Sequence, residues 1–90
     1  MKLEWDEAKR QTTLQERGID FAYLERFDWE TGVFFDYVRR DYGERRKSAL
    51  GLLNGRILAI SFTMRDDRIR IISMRKANSR ERKVYDKFKT

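Results

Sequence analysis

Cysteine, histidine and proline are all missing from this chain of 90 residues. Without cysteine there is neither a disulfide framework nor a thiolate zinc site. Without histidine the Ser/His and Cys/His pairs of nucleophilic enzymes are excluded, together with the commonest metal ligand. A carboxylate-only metal site would remain, but the pair Asp66-Asp67 is better interpreted as a turn. We therefore expect neither a metal nor another cofactor.

Long apolar runs are missing too. No stretch is long enough to cross a membrane, and residues 1–6 lack the apolar core of a signal peptide. A cytoplasmic location without membrane contact is the expectation. The length predicts one domain, residues 1–90, and hydrophobic residues at 40% suffice for a single core.

Charge, by contrast, is plentiful and uneven. Residues 1–44 hold seven Lys/Arg against eleven Asp/Glu, whereas residues 45–90 hold fourteen against four. Arginine outnumbers lysine fourteen to seven, and its guanidinium group binds phosphate through two parallel hydrogen bonds and stacks on bases. The asymmetry indicates a polyanionic partner of the C-terminal half, most simply RNA. A solvated basic surface without a ligand, or an adaptor for an acidic protein, are the alternatives.

Three helices are predicted, at residues 6–17, at residues 20–26 and from residue 78 onward. Asp6 and Asp20 are suitable N-caps, and Gly18 supplies the C-terminal stop of the first helix. Asn78 and Glu81 have the spacing of a capping box.

Four strands are predicted between the second and third helices, at residues 33–38, 45–53, 56–64 and 68–74. Asn54-Gly55 is a strong hairpin signal, residues 39–44 read as a loop, and residues 65–67 form a turn. The order ααββββα predicts an α+β fold, with an antiparallel sheet, helices on one face and the other face partly open.

The last predicted strand carries the side chains best suited to an anion. Alternation puts Arg68 and Arg70 on one face, followed by Ile72 and Met74, with the remaining isoleucines packed on the helices. The alternative is that these arginines pair with acidic residues across the sheet: Asp36, Asp41 or Glu44.

Two further cations, Arg75 and Lys76, come just before the helix that begins after Asn78. The free amide groups of a first helical turn also favour an anion, so this position suits a phosphate. RNA can be cleaved by its own 2′-hydroxyl, and fixed arginines would stabilise the charge of the transition state.

The proton transfers of such a reaction need a base. Glu44, Glu81 or a lysine of lowered pKa could serve, and Tyr42 or Tyr85 could donate a proton or stack on a base. Glu81 is more simply the capping partner of Asn78, and Tyr85 lies on an apolar stripe typical of core packing.

A series of stretches along the whole chain is familiar: residues 5–9, 18–21, 27–28, 42–46, 49–51, 55–58 and 68–77, followed by Glu81 and Tyr85. Together they resemble the BrnT family, the ribonuclease toxins of bacterial type II toxin–antitoxin systems. The block at residues 68–77 is the most specific. The resemblance implies a RelE-like fold with two N-terminal helices, a four-stranded antiparallel sheet and a C-terminal helix.

The resemblance also implies RNA cleavage that blocks translation, neutralisation by a BrnA-like antitoxin, and binding of operator DNA through the complex with that antitoxin. Our hypothesis is a metal-independent endoribonuclease. Its predicted catalytic residues are Arg70, Arg75, Lys76 and Glu44, and its predicted RNA-binding residues are Arg46, Arg68, Tyr42 and Tyr85.

One departure from the family favours an alternative. Where members usually carry Lys-His before the glycine, this chain has Glu16-Arg17. The alternative is a catalytically weak or inactive module of the same fold that binds nucleic acid or antitoxin.

Overall fold

The structure, a computed structural model, describes residues 2–27, 29, 32–38 and 45–89. The elements over these residues are β1 (Lys2–Trp5), α1 (Glu7–Arg17), a 3₁₀ helix (Phe21–Arg26), β2 (Val33–Val38), β3 (Arg45–Leu53), β4 (Arg56–Arg65), β5 (Arg68–Lys76) and α2 (Ser79–Lys89). The predicted loop at residues 39–44 lies outside the described residues.

The strands form one mixed sheet in the order β1-β5-β4-β3-β2. β2 to β5 pair antiparallel with their neighbours, as predicted, but β1 adds a parallel strand against β5, with Leu3 opposite Ile69. The prediction of a four-stranded antiparallel sheet was therefore wrong by one strand. β1 has only four residues and its partner lies near the other end of the chain, so no local pattern marks it.

Both N-terminal helices begin at the predicted caps. Asp6 accepts a hydrogen bond from the backbone N–H of Lys9 at 3.1 Å, and α1 ends at Gly18, whose φ is +67°. Asp20 accepts from the N–H of Ala22 at 3.0 Å. The second element, however, is a 3₁₀ helix rather than an α-helix.

The turns between the long strands follow the predicted positions. Asn54 and Gly55 both have positive φ, +52° and +77°, which is the backbone of the tight hairpin that this dipeptide favours. Asp66, with φ of +54°, turns the chain between β4 and β5. β5 runs two residues beyond the predicted end, to Lys76.

The main core lies between the sheet and the layer formed by α1 and the 3₁₀ helix. Its fully buried side chains include Phe21, Leu24, Ile60 and Met74. At Gly51 the backbone of β3 lies directly under the Phe27 ring, and a Cβ there would overlap the ring. Close packing of this kind tolerates little change in volume.

A smaller apolar cluster lies on the opposite face of the sheet. It consists of Val33, Leu50 and Ala59, against which Val84 and Tyr85 of α2 pack. The prediction that the helices share one face was therefore wrong. The sequence of β4 explains why: residues 58–60 are buried in succession, which is typical of a strand covered on both faces.

An ion pair joins α1 to the 3₁₀ helix. Arg10 donates from Nε and Nη2 to the two carboxylate oxygens of Asp20, at 2.8 and 3.0 Å. The hydrogen bonds from Arg10 lower the pKa of Asp20 below its ordinary value of 3.8. Asp20 is thus both a cap and an anchor, and it fixes the position of the 3₁₀ helix against α1.

Candidate nucleic-acid interface

A one-residue irregularity in β5 decides which side chains face α2. Ser73 and Ile71 pair with consecutive residues of β4, so Ile72 is an extra residue in β5. As a result Met74 is fully buried in the main core, on the same face as Ile71. The prediction that Met74 follows the arginines on their face was therefore wrong, because regular alternation does not continue across the bulge.

The bulge brings the cations of β5 together. Ser73 and Arg75 continue the face of Arg70, so that Arg70 and Arg75 flank a short hydroxyl side chain. Strand pairing and alternation add two neighbours to this face, Arg65 opposite Arg68 and Arg46 on β3. We call this surface the arginine face and define it by five residues: Arg46, Arg65, Arg68, Arg70 and Arg75.

A carboxylate from β1 lies beside the first two arginines of β5. Glu4 Oε2 is 3.5 Å from Arg68 Nη1, and Glu4 Oε1 is 3.7 Å from Arg70 Nη1. These pairs are partly exposed, at distances longer than a good charge-assisted hydrogen bond. Among the described residues, the acidic partner of both arginines is thus Glu4, on the unpredicted strand. Asp41 and Glu44 lie outside the described residues, as does the side chain of Asp36.

Arg75 is held more firmly, at the N-terminus of α2. Its Nη1 and Nη2 donate to the two carboxylate oxygens of Glu81 at 2.6 and 3.0 Å. Glu81 also completes the predicted capping box, accepting from Asn78 N–H at 2.9 Å while its own N–H donates to Asn78 Oδ1 at 2.8 Å. The hydrogen bonds from Arg75 lower the pKa of Glu81, and those to Glu81 raise the pKa of Arg75. Glu81 is therefore a fixed carboxylate that positions Arg75.

An open cavity of about 290 Å³ lies between the arginine face and the first turn of α2. Its floor includes three serines in one row across the sheet, Ser48, Ser61 and Ser73. Arg75 and Arg80 lie at its rim. The cavity is therefore adjacent to a cationic strand and carries hydroxyl groups of its own.

Two other cations near the end of β5 lie elsewhere. Lys76 is paired with Leu58, a main-core residue, so strand alternation turns it away from Arg75. The prediction placed Lys76 and Arg75 in one site because they are adjacent in sequence, but adjacent residues of a strand face opposite sides of the sheet. Arg17 donates from Nη1 to the carbonyl of Met74 at 2.9 Å, and thus fastens the end of α1 to the backbone of β5.

Of the two tyrosines predicted to contact RNA, the structure describes only Tyr85. Tyr85 packs against the smaller apolar cluster, with Lys89 Nζ 5.8 Å from its ring centroid. Tyr85 therefore contributes to the packing of α2 on the sheet. Tyr42 and Glu44 lie outside the described residues.

Sequence reasoning missed four kinds of residue in this region: Glu4, Arg65, Arg80 and the serine row. The sequence places Arg65 in the predicted turn, but in the structure it ends β4 and continues the alternation of Ser61 and Thr63. Among the described residues no cluster of His, Cys, Asp and Glu is arranged to hold a metal ion. Over the same residues, no helix is long and apolar enough to cross a membrane.

A five-stranded mixed sheet, with arginines on the face that α2 only partly covers, defines a small α+β domain suited to a polyanion. Residues 5–81 match the family model described as ribonuclease toxin, BrnT, of type II toxin–antitoxin system. The chain therefore belongs to the BrnT family.

A solved structure supports the same assignment. The crystal structure of the Brucella abortus ribonuclease toxin BrnT superimposes with a TM-score of 0.70 at 36% sequence identity, covering 88% of this chain and 99% of that one. Among curated proteins, none matches this chain.

Proposed function

We propose that this chain is an endoribonuclease toxin whose arginine face holds the scissile phosphate of an RNA strand. The observation that carries the proposal is the arrangement of Arg68, Arg70 and Arg75 on one side of β5, which the bulge at Ile72 produces. Membership of a ribonuclease toxin family supports it.

The proposed reaction uses the 2′-hydroxyl of the RNA as nucleophile. That oxygen attacks the adjacent phosphorus, the bond from phosphorus to the 5′-oxygen breaks, and the departing oxygen takes up a proton. Negative charge grows on the phosphoryl oxygens meanwhile. Arg70 and Arg75 would donate hydrogen bonds to these oxygens, and Arg46 and Arg68 would bind the flanking backbone. No step requires a metal, so chelators are expected to leave cleavage unchanged.

The base is proposed to be Glu44, with Tyr42 in contact with the RNA. Glu81 is the described carboxylate nearest to the arginines, but its lowered pKa makes it a weak base at neutral pH. Its bonds to Arg75 and Asn78 instead suit it to hold Arg75 in place.

The proposed partners follow from the family. A type II toxin is paired with an antitoxin, and we propose a BrnA-like protein that neutralises this chain and binds operator DNA in complex with it. Cleavage of cellular RNA would inhibit translation. Coexpression of the adjacent reading frame should restore growth if that frame encodes the antitoxin.

The proposal is tested with Arg70→Ala, with Arg26→Ala as the control. Both remove an arginine, but Arg26 is exposed at the end of the 3₁₀ helix, in the layer on the opposite face of the sheet. Loss of one electrostatic contact to the transition state should slow cleavage of a defined RNA by about 10²-fold and relieve toxicity, whereas Arg26→Ala should retain both. Purified protein that leaves RNA intact, with and without chelator, would refute the proposal.

The second candidate is a binding module with little or no catalysis. Arg17, at the position where the family usually has histidine, favours it, because its guanidinium is bonded to the Met74 carbonyl. Arginine stays protonated and cannot act as a base near neutral pH. RNA that is bound but not cleaved by the wild-type chain would establish this alternative.

A further inference from the structure

The cavity beside α2 has a floor that contains unused hydrogen-bonding groups. Ser48 is in register with Ser61, and Ser61 with Ser73, so three hydroxyl side chains lie in one row across β3, β4 and β5. All three are half-buried and line the cavity. Within the part of the chain that is described, no side-chain hydrogen bond engages them. Each hydroxyl is thus free to donate and to accept.

An aromatic ring continues the same row. Phe35 of β2 is the strand partner of Ser48, and it lines the cavity although 38% of its surface is exposed. Phe88 of α2 touches this ring edge-on, with centroids 6.4 Å apart. An accessible ring beside a row of hydroxyls offers a stacking surface together with groups that pair with polar edges.

The rim carries charge of the sign that a nucleic-acid strand requires. Arg75 and Arg80 lie at the cavity, and β5 leads from Ser73 in its floor back to Arg70. Glu81 adds a carboxylate that accepts hydrogen bonds. The two arginines favour an anionic backbone, and the carboxylate favours a ring with hydrogen-bond donors. A nucleotide has both, whereas an apolar molecule of similar size has neither.

We infer that this cavity binds one nucleobase of a single-stranded RNA whose phosphates lie on the arginine face. The base would stack against Phe35 and present its polar edge to the serine row. The inference rests on the proposed function and adds to it a base-recognition site, because the arginine face by itself contacts only the backbone. Single strands are recognised in this way, since their bases can leave the stack.

The test is binding of short strands that the protein cannot cleave. Strands of 2′-fluoro adenosine and 2′-fluoro uridine are compared with an abasic strand of equal length and charge, by fluorescence anisotropy. Wild-type protein should bind at least one base-bearing strand roughly five- to one-hundred-fold more tightly than the abasic strand, as stacking of one base allows. Ser61→Val fills the floor and should weaken binding of the base-bearing strand at least five-fold, without changing binding of the abasic strand.

Thr12→Val is the control, because it also removes a hydroxyl and leaves a valine, but Thr12 is exposed on α1, away from the cavity. It should bind both strands as the wild type does. Circular dichroism and thermal melting report whether Ser61→Val is folded. If it is not, Ser61→Ala and Phe35→Leu make the same comparison, and each should reduce the preference for bases by a smaller factor.

Equal binding of abasic and base-bearing strands by the wild type would overturn the inference. An equal loss of both strands in folded Ser61→Val would do the same. The outcome is separate from that of the proposed function. A base preference in a protein that cleaves no RNA would refute only the nuclease, whereas cleavage without any base preference in binding would refute only the cavity assignment.

Discussion

The two faces of the sheet are built on different principles, although the same strands supply both. The face under α1 and the 3₁₀ helix is largely apolar, with Phe27, Ile60 and Met74 at its centre, although Lys47 and Lys76 also lie on this side. The opposite face has an apolar cluster where α2 covers it, and it also presents serines and the arginine face. Because strand residues alternate, each face can be specified with little constraint from the other. Folding and binding are therefore largely separable in this domain.

The largest expected effect is a difference in RNA cleavage rate between variants at two adjacent residues of β5. Arg75 faces the cavity, whereas Lys76 faces the other side. Arg75→Ala should slow RNA cleavage by about 10²-fold, because it removes a charged donor from the transition state. Lys76→Ala should change the rate by no more than roughly threefold, as expected for an exposed charge away from the site.

The measurement is a single-turnover cleavage assay on a defined RNA, with thermal melting to confirm that both variants fold. Equal losses in the two variants would mean that the site extends around the end of β5, and the assignment of the faces would be wrong.

A large effect on stability is expected from the apolar face. Gly51→Ala would force a methyl group into the Phe27 ring and should lower the free energy of unfolding by about 1–3 kcal/mol. Leu52→Ala is the control, since the next side chain points to the other face and is 53% exposed. It should cost about 0.5 kcal/mol or less. Urea unfolding of both variants tests this, and an unchanged midpoint for Gly51→Ala would contradict the packing described.

Local signals account for most of what could be predicted of the fold. The Asn54-Gly55 hairpin and the capping box at Asn78 and Glu81 were confirmed, because each depends on residues within a single turn. β1 was missed because its pairing joins distant segments. The bulge at Ile72 was not predicted, because isoleucine is common on either face of a regular strand and its presence does not indicate a bulge.

The same limit applies to the candidate site. Arg68, Arg70 and Arg75 were singled out because they stand in one cationic strand, and the structure keeps them on one face. Lys76 was added only because it is adjacent. The serine row could not be foreseen, since its members become neighbours only through the register of three strands.

An intermediate effect concerns the ion pair on the apolar side. Asp20→Asn keeps a side chain that can cap the 3₁₀ helix but removes the charge bound by Arg10. The melting temperature should fall by about 4–8 °C at neutral pH. Because folding lowers the pKa of Asp20, its contribution is complete above 3.8 and is lost as the pH falls through the lower folded-state value.

The difference in melting temperature between wild type and Asp20→Asn should therefore shrink when the pH is lowered below 3.8. Melting curves at successive pH values measure it. A difference that stays constant to low pH would show that the charge of Asp20 contributes nothing and that the loss has another cause.

The smallest expected effect concerns the ion pair on the arginine face. Glu81→Gln retains the geometry of the capping box but no longer neutralises Arg75. Because Arg75 then reaches a phosphate without leaving a carboxylate, affinity for RNA should rise roughly two- to fivefold, the strength of a partly exposed ion pair. Glu25→Gln, an equal charge change at an exposed residue of the 3₁₀ helix, should give a smaller rise.

The pH dependence of this gain in RNA affinity distinguishes the ion pair of Arg75 and Glu81 from a general effect of net charge. Arg75 lowers the pKa of Glu81 below its ordinary value of 4.5, so the advantage of Glu81→Gln should persist at neutral pH and disappear only once wild-type Glu81 is protonated, below 4.5. Anisotropy titrations of a non-cleavable RNA across this range measure it. If Glu81→Gln binds RNA more weakly than the wild type, then positioning of Arg75 outweighs competition for it. In that case the ion pair would support RNA binding by holding Arg75 in position, and would not compete with RNA for Arg75.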